Sequence, residues 1–217
     1  PPSPPARSIR LVHRFTELFS LLRLQVILKE SDAKLYIAQI ALGINHLHEQ
    51  GIIYRDLKPE NVLICSNGHL KITDFGIAKM GVGENSGAVS FCGTPEYFAP
   101  EVLQMKRRDA PVTSYGLAVD YWSMGILLFE MLVGSLPFQH HQRLKLYQMI
   151  VYKPWKIPSH RRVSPAAETL LHMLLNKEPT ARLTTMSTLE SHEFFEPLDF
   201  KKVHNLQYQP SFKPTVR

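Results

Sequence analysis

The longest helical pattern in the chain runs from Ser31 to Gln50. Apolar residues recur there at spacings of three and four and form two stripes, Leu35-Ala38-Leu42 and Ile40-Ile44-Leu47. Because two stripes leave little polar surface, the pattern predicts a helix that is largely buried. Gly51 follows directly, and glycine is a common helix terminator.

Shorter patterns complete the predicted elements. Further helices are expected at 120–133, 164–175 and 184–192. The first of these is too apolar for a surface helix, because only Glu130 interrupts its apolar sequence. Two short runs rich in β-branched and aliphatic residues, 62–64 and 70–73, flank an Asn67-Gly68 pair. That arrangement is the strongest local signal for a β-hairpin. The chain is therefore predicted to be mostly helical with one hairpin.

The hairpin would bring two polar residues together at its open end. If the turn is centred on Asn67-Gly68, Val62 faces Thr73 and Asn61 faces Asp74. The Cβ atoms of directly opposed residues lie about 4.5 to 5.5 Å apart. Amide and carboxylate oxygens so placed can share a hard cation such as Mg²⁺, although a polar pair that merely closes a hairpin is the alternative.

Composition excludes several protein classes. The 217 residues are 44% apolar and 20% charged, which is unlike a disordered chain, a collagen or a coiled coil. No apolar run reaches the roughly 18 residues that a transmembrane helix needs. Two cysteines, Cys65 and Cys92, provide no disulfide framework and indicate a reducing compartment, so we expect a cytoplasmic protein, with the nucleus as the alternative location.

The charge balance adds little about partners. Lys and Arg total 25 against 19 for Asp and Glu, giving a net charge of +6 and a pI of about 9.3. Such a chain suits phosphates or acidic surfaces, but a general surface bias is the simpler explanation. The positive residues are dispersed apart from Lys106-Arg107-Arg108, and aromatic residues do not alternate with them. We therefore expect no nucleic-acid partner.

Three motifs surround the predicted hairpin in a fixed order. Tyr54-Arg55-Asp56-Leu57-Lys58-Pro59-Glu60-Asn61 precedes it, Asp74-Phe75-Gly76 follows it, and Ala99-Pro100-Glu101 lies further along the chain. Together they match three parts of the protein-kinase signature, in the structural context that the signature requires. The chain therefore resembles a protein kinase. This resemblance implies an α+β kinase-like fold, ATP as phosphate donor and Mg²⁺ as cofactor.

The resemblance assigns roles to four residues of the cleft. Asp56 would accept or orient the proton of the acceptor hydroxyl, and Lys58 would reach the transferring phosphate. Asn61 and Asp74 would hold the metal ions that bridge the nucleotide phosphates. These residue types suit phosphoryl transfer, which needs alignment and charge neutralisation more than covalent help.

Other segments resemble the AGC group, the relatives of protein kinase A, protein kinase B and the ribosomal S6 kinases. Tyr54 replaces the usual histidine of the catalytic loop, the run from Ser90 to Tyr97 resembles the AGC activation segment, and 210–214 resembles the start of the AGC tail. The group resemblance implies serine/threonine specificity and an upstream activating kinase that modifies Ser90. It also implies that Arg55 and Lys79 clamp the phosphate and that Phe91 and Thr94 recognise the substrate. Asp120, Glu101 and Arg182 would have structural roles.

Three glutamates match positions that face the nucleotide ribose or substrate arginines in AGC kinases that prefer basic substrates. They are Glu17, Glu60 and Glu130. Their presence implies protein substrates with basic residues upstream of the target serine or threonine. Because a buried carboxylate needs a partner, an internal arginine or tyrosine is an equal alternative for Glu130.

The resemblance divides the chain into three parts. Residues 1–14 form a proline-rich tail, 15–195 the large lobe of a kinase, and 196–217 the start of the AGC extension. Pro1 to Phe15 contain no glycine-rich loop and no strand lysine, although the kinase signature requires both before Asp56. We expect a large lobe without its small lobe, through truncation, splicing or an incomplete gene model, and hence no activity from this chain alone. The alternative is a kinase lobe that acts only as a docking module. The stretch from Gln104 to Thr113 is longer than the family usually has.

Overall fold

A computed structural model describes residues 15–81, 87–105 and 114–214 of the chain. The proline-rich residues 1–14 lie outside this part, as do 82–86 and 106–113, which belong to the predicted activation loop and to the long stretch from Gln104 to Thr113. The strands are β1 (Phe15–Glu17), β2 (Val62–Cys65) and β3 (Leu70–Ile72). The helices are α1 (Leu18–Gln25), α2 (Glu30–Glu49), α3 (Pro100–Gln104), α4 (Ala118–Val133), α5 (Arg143–Tyr152), α6 (Pro165–Leu174), α7 (Met186–Glu190) and α8 (Phe200–His204).

The three strands form one antiparallel sheet in the order β1-β2-β3. The predicted hairpin is β2-β3, and β1 adds a third strand to its other edge, with Glu17 opposite Leu63. Thr16 of β1 is buried while Phe15 and Glu17 are exposed, which is the alternation of a strand with one covered face. This third strand was not predicted, because three residues give too short an alternation to recognise.

The predicted register of the hairpin is wrong by one residue. Val62 pairs with Ile72, not with Thr73, and Asn61 stands opposite Thr73, whose amide donates to the Asn61 carbonyl oxygen at 2.9 Å. The cause lies in the turn, where Cys65 pairs with His69 and leaves a three-residue loop, Ser66-Asn67-Gly68. Gly68 has φ +89°, the left-handed residue that such loops need. Asp74 therefore lies one position beyond the residue that faces Asn61.

Gly68 also marks the point where the C-terminal segment packs on the hairpin. A Cβ atom at this position would lie 2.5 Å from the Phe212 carbonyl oxygen and 2.8 Å from the Pro210 side chain. Beside it, the His69 ring contacts the Gln39 amide at 2.6 Å, and Gln39 also accepts the Leu70 amide at 2.9 Å. The turn is therefore fixed between α2 and residues 210–212.

Substituting Gly68 by alanine should destabilise the chain more than the same substitution normally does at a left-handed glycine. The backbone term alone is about 1 to 2 kcal/mol, and the contact with Phe212 adds to it. Gly81→Ala is the matched control, because Gly81 has φ +72° but an added Cβ meets nothing within 4 Å. Urea unfolding of both variants should show the larger loss for Gly68→Ala. Equal losses would mean that the C-terminal segment does not pack there in solution.

Helix α4 forms the centre of the core, as its apolar sequence predicts. It packs against α2 and α6, and an added Cβ on Gly125 would lie 2.8 Å from Leu174 Cβ. Trp122 is fully buried and stacks on Phe138 with ring centroids 6.2 Å apart. The predicted helices α2, α4 and α6 are confirmed to within two residues at each end.

The third predicted short helix is shorter than expected. Residues 184–192 were predicted, but α7 spans only Met186–Glu190. Thr185 precedes it in an extended conformation, and the His192 ring accepts the Phe194 amide, which starts a separate turn at 193–195. Side chains that bond to nearby backbone compete with the helix at such ends. Within the described residues, no helix is both long enough and apolar enough to cross a membrane.

Candidate active site

A buried aspartate on α4 fixes the loop that precedes the hairpin. Asp120 is fully buried, and its two carboxylate oxygens accept the amides of Tyr54 at 2.9 Å and Arg55 at 2.8 Å. The His48 ring lies 2.7 Å from the same carboxylate. Arg55 has φ +73°, a conformation that non-glycine residues adopt only when their surroundings impose it. Asp120 thus holds the backbone of the predicted catalytic loop immediately before Asp56.

Three predicted residues converge on the Asp56 carboxylate. Lys58 Nζ lies 2.9 Å from one oxygen, and the Asn61 amide donates to the same oxygen at 2.8 Å. The Thr94 hydroxyl donates to the other oxygen at 3.0 Å, and Lys58 donates to Thr94 at 2.9 Å. Because the donors fix the carboxylate on both sides, it is oriented to accept one further proton or hydroxyl group from the cleft.

The predicted metal ligands lie at the open end of the hairpin. Asp74 has φ +56°, is exposed, and accepts the Gly76 amide at 3.1 Å. Asn61 uses its amide nitrogen for both the side chain and the carbonyl oxygen of Asp56, so the amide oxygen is its remaining ligand atom. An exposed carboxylate and an amide oxygen are the hard ligands that Mg²⁺ prefers, so this donor set fits the ion. The described residues contain no group of three or more His, Cys, Asp or Glu side chains arranged for a metal ion.

Tyr54 connects the catalytic loop to the segment that carries Asp74. Its hydroxyl donates to the Thr73 carbonyl oxygen, and its ring meets Phe75 edge-on at 5.5 Å. Burial, followed by the nearby negative charge of Asp56, raises the pKa of Tyr54, so the phenol remains a hydrogen-bond donor. The Phe75 ring is itself 51% exposed. Tyr54 therefore positions Asp74 by bonding to the backbone of the preceding residue, Thr73.

The two residues predicted to clamp a phosphate on Ser90 make different contacts. Arg55 Nη1 donates to Ser90 Oγ at 2.5 Å, and Arg55 Nε donates to the Ile77 carbonyl oxygen at 2.6 Å. Lys79 donates to the Gly87 carbonyl oxygen at 3.1 Å, three residues before Ser90. Arg55 thus already bonds to the hydroxyl that would carry a phosphate, whereas Lys79 contacts the segment leading to it.

Glu130 has an internal partner of the predicted kind. The Tyr97 hydroxyl donates to its carboxylate. Burial raises the pKa of Glu130 and the negative charge of Glu60 raises it further, while the Tyr97 hydrogen bond opposes the shift. The Glu60 carboxylate is exposed to solvent, whereas that of Glu130 is half-buried. Glu17, the third of these glutamates, is exposed on β1.

An aromatic cluster lies beside Thr94. The Phe91 ring meets Phe98 at 4.7 Å and Tyr147 at 6.2 Å between centroids. Tyr147 lies on α5, which was not predicted because its leucines alternate as in a strand. Leu144 is 76% exposed and Leu146 is buried. No sequence motif marks Tyr147 as a neighbour of the activation segment.

The predicted structural pair is also formed. Arg182 donates from its two terminal nitrogens to the two oxygens of Glu101, at 2.7 and 2.9 Å. Both side chains are almost fully buried, and Arg182 also donates to the carbonyl oxygens of Ala118 and Asn176 at 2.9 Å. The pair connects the end of the activation segment to α4 and to the loop before α7.

Comparison with known proteins gives two matches of different kinds. A family model described as a protein kinase domain matches residues 8–195. The chain is 41% identical over 204 residues to ribosomal protein S6 kinase alpha-3 of Mus musculus and of Homo sapiens, which covers 92% of this chain and 26% of each kinase. It is 42% identical over 204 residues to ribosomal protein S6 kinase 2 beta of Xenopus laevis, which covers 31% of that kinase. The chain thus spans less than a third of the length of these curated relatives.

Proposed function

Since this chain belongs to the protein kinase family, and is similar within it to ribosomal S6 kinases of the AGC group, we propose that it carries the catalytic residues of a serine/threonine kinase. The reaction is transfer of the ATP γ-phosphate to a serine or threonine of a basic protein substrate. The observation that carries this proposal is the arrangement of Lys58, Asn61 and Thr94 around the Asp56 carboxylate. Its fold is a protein kinase domain fold with many helices and a small antiparallel sheet.

Each residue of the cleft has a defined task in this proposal. Asp56 accepts the proton of the substrate hydroxyl, and Lys58 neutralises charge on the transferring phosphate. Asn61 and Asp74 would hold Mg²⁺, which would supply charge neutralisation for the phosphate transfer. Thr94 orients Asp56 and Lys58 together, since it bonds to both. The exposed Glu17 would face the ribose of ATP.

In this proposal, residues 15–195 are the large lobe of a kinase and 196–217 are the start of the AGC extension. Support comes from the surface between α2 and β3, where a cavity of about 320 Å³ is lined mainly by apolar side chains, among them Ile40, Leu47, Ile72 and Phe75. An exposed phenylalanine next to Asp74 is costly in water, and a packed small lobe would cover it. A docking module without turnover is the alternative role of the same lobe.

Ser90 is the regulatory site of this proposal. A phosphate there adds roughly −1.5 to −2 charge at neutral pH, and Arg55 lies ready to bind it. An upstream kinase would add this phosphate, and the new charge-assisted bonds would order the activation segment. The protein would work in the cytoplasm or the nucleus.

The proposal is tested by phosphate transfer from ATP to a peptide with arginines upstream of one serine. The enzyme is this chain joined, ahead of Thr16, to the segment that precedes the matching residue in a ribosomal S6 kinase. A peptide in which tyrosine replaces the serine is the control. Transfer to serine alone supports the proposal. If the joined protein, phosphorylated at Ser90, is folded and binds ATP but transfers nothing, the catalytic role is wrong and the docking role is favoured.

Glu130→Gln in the same joined protein should weaken binding of the arginine peptide. One charge-assisted contact is lost, so KM should rise by about tenfold or more while kcat changes little. Since burial raises the pKa of Glu130, its charge is lost on acidification at a higher pH than for an ordinary glutamate. KM of the parent should therefore rise as the pH falls, and this rise should be smaller in the variant. An equal effect on a peptide without arginines would show that Glu130 only anchors Tyr97.

A further inference from the structure

Tyr115 joins the activation segment to the phosphate clamp. It precedes α4 and is buried. Its backbone forms an antiparallel bridge with Ala88, with hydrogen bonds of 2.8 and 3.0 Å in the two directions. Its hydroxyl donates to the Ser90 carbonyl oxygen at 2.7 Å and accepts from Arg55 Nη1 at 3.3 Å. One residue therefore contacts the backbone on both sides of Val89 as well as the arginine that bonds to Ser90.

The hydrogen bonds of the phenol have a fixed direction. A tyrosine hydroxyl has a single proton, and here it is used by the Ser90 carbonyl oxygen. The lone pairs of the oxygen therefore face Arg55, which can only donate. Burial raises the pKa of Tyr115, while its hydrogen bond with Arg55 lowers it. The phenol thus stays neutral and able to donate at physiological pH.

The same arginine has few alternative positions. The Arg55 amide is held by Asp120, and its Nε atom by the Ile77 carbonyl oxygen. Its Nη1 atom is left to serve Ser90 and Tyr115 together. With the Ser90 backbone where Tyr115 holds it, Arg55 Nη1 already bonds to the hydroxyl oxygen that would carry a phosphate.

We propose that Tyr115 is a positioning residue for the regulatory phosphate: its hydroxyl holds the Ser90 backbone so that a phosphate on Ser90 binds Arg55 without rearrangement of the segment. The inference rests on the proposed role of Ser90 and Arg55, and deepens it. Tyr115 does not touch the reacting atoms. Its effect is on how firmly the phosphorylated segment is held.

The experiment uses the full 217-residue chain with phosphoserine incorporated at position 90 during translation. The second pKa of a free phosphoserine is about 6, and a bound arginine lowers it because it favours the dianion. In the parent chain the ³¹P titration should therefore give a lowered value. Tyr115→Phe keeps the ring and the backbone bridge but removes the hydroxyl. It should raise the phosphate pKa by about half a unit, as expected for the loss of one ordinary hydrogen bond, and should speed removal of the phosphate by a phosphatase.

Two further variants separate the possible outcomes. Tyr36→Phe removes a hydroxyl from another buried tyrosine, on α2, and should leave both measurements unchanged. Arg55→Ala should raise the phosphate pKa by more than Tyr115→Phe does and most of the way to the free value, since Lys79 is the only other predicted clamp near the segment. If Arg55→Ala has no effect, the proposed clamp is wrong, and the role of Tyr115 with it. If Arg55→Ala raises the pKa but Tyr115→Phe leaves it unchanged or lowers it, with melting temperatures equal to the parent, only the role of Tyr115 is overturned.

Discussion

Replacing Arg182 by methionine is expected to destabilise the folded chain by about 3 to 5 kcal/mol. The substitution leaves the Glu101 carboxylate buried without a partner, since Arg182 supplies bonds to both of its oxygens. It also removes the donors of the Ala118 and Asn176 carbonyl oxygens. Removing one member of a buried ion pair is costly for this reason, even when the pair itself contributes little net stability. Urea unfolding followed by circular dichroism measures the loss.

Two further variants show whether burial causes this effect. Arg143→Met changes an exposed arginine at the start of α5 and should shift the free energy of unfolding by less than about 0.5 kcal/mol. The double variant Arg182→Met with Glu101→Met removes the unpaired charge and should recover part of the loss. A double variant as unstable as Arg182→Met alone would show that the lost carbonyl contacts, and not the stranded carboxylate, dominate.

The sequence predicts those parts of the site that depend on close spacing. Asp56, Lys58 and Asn61 lie within six residues, and a single loop and turn bring them together, so their proximity follows from the motif. The long helix α2 and the apolar helix α4 are equally clear, because their patterns repeat over several turns. The Glu101–Arg182 pair spans 81 residues and was expected only through the family resemblance.

The hairpin register could not be predicted from the local sequence pattern. The Asn67-Gly68 pair is compatible with a two-residue turn and with a three-residue loop that ends in a left-handed glycine. The second is formed, and Gly68 fits closely against residues 210–212, which are far away in the sequence. A local signal cannot include that contact. The same holds for Tyr115 and Tyr147, which reach the activation segment from elements with no diagnostic local pattern.

The 217-residue chain by itself is expected to bind ATP weakly or not at all and to give no measurable phosphate transfer. Its cleft supplies Asp56, Lys58, Asn61 and Asp74, but its first 15 residues include no glycine-rich loop and no strand lysine. In kinases those parts hold the β- and γ-phosphates in line. A nucleotide held on one side remains exposed to water, which screens the charges that should act on the transferring group. The measurement is radiolabel transfer to a basic serine peptide, together with ATP binding by calorimetry.

The chain joined to an S6 kinase segment ahead of Thr16 should gain both ATP binding and turnover. Asp56→Asn in that protein should then lower kcat by about 10² to 10⁴, the usual contribution of a general base. KM for ATP should change little, because Asp56 faces the acceptor hydroxyl in the proposed mechanism. The asparagine oxygen can still accept from Asn61, and the asparagine amide nitrogen can donate to the Thr94 hydroxyl, which lies beside the other carboxylate oxygen. The structural loss should therefore be small. Turnover by the unjoined chain that disappears on Asp56→Asn would instead mean that these 217 residues already form a complete phosphate-transfer site.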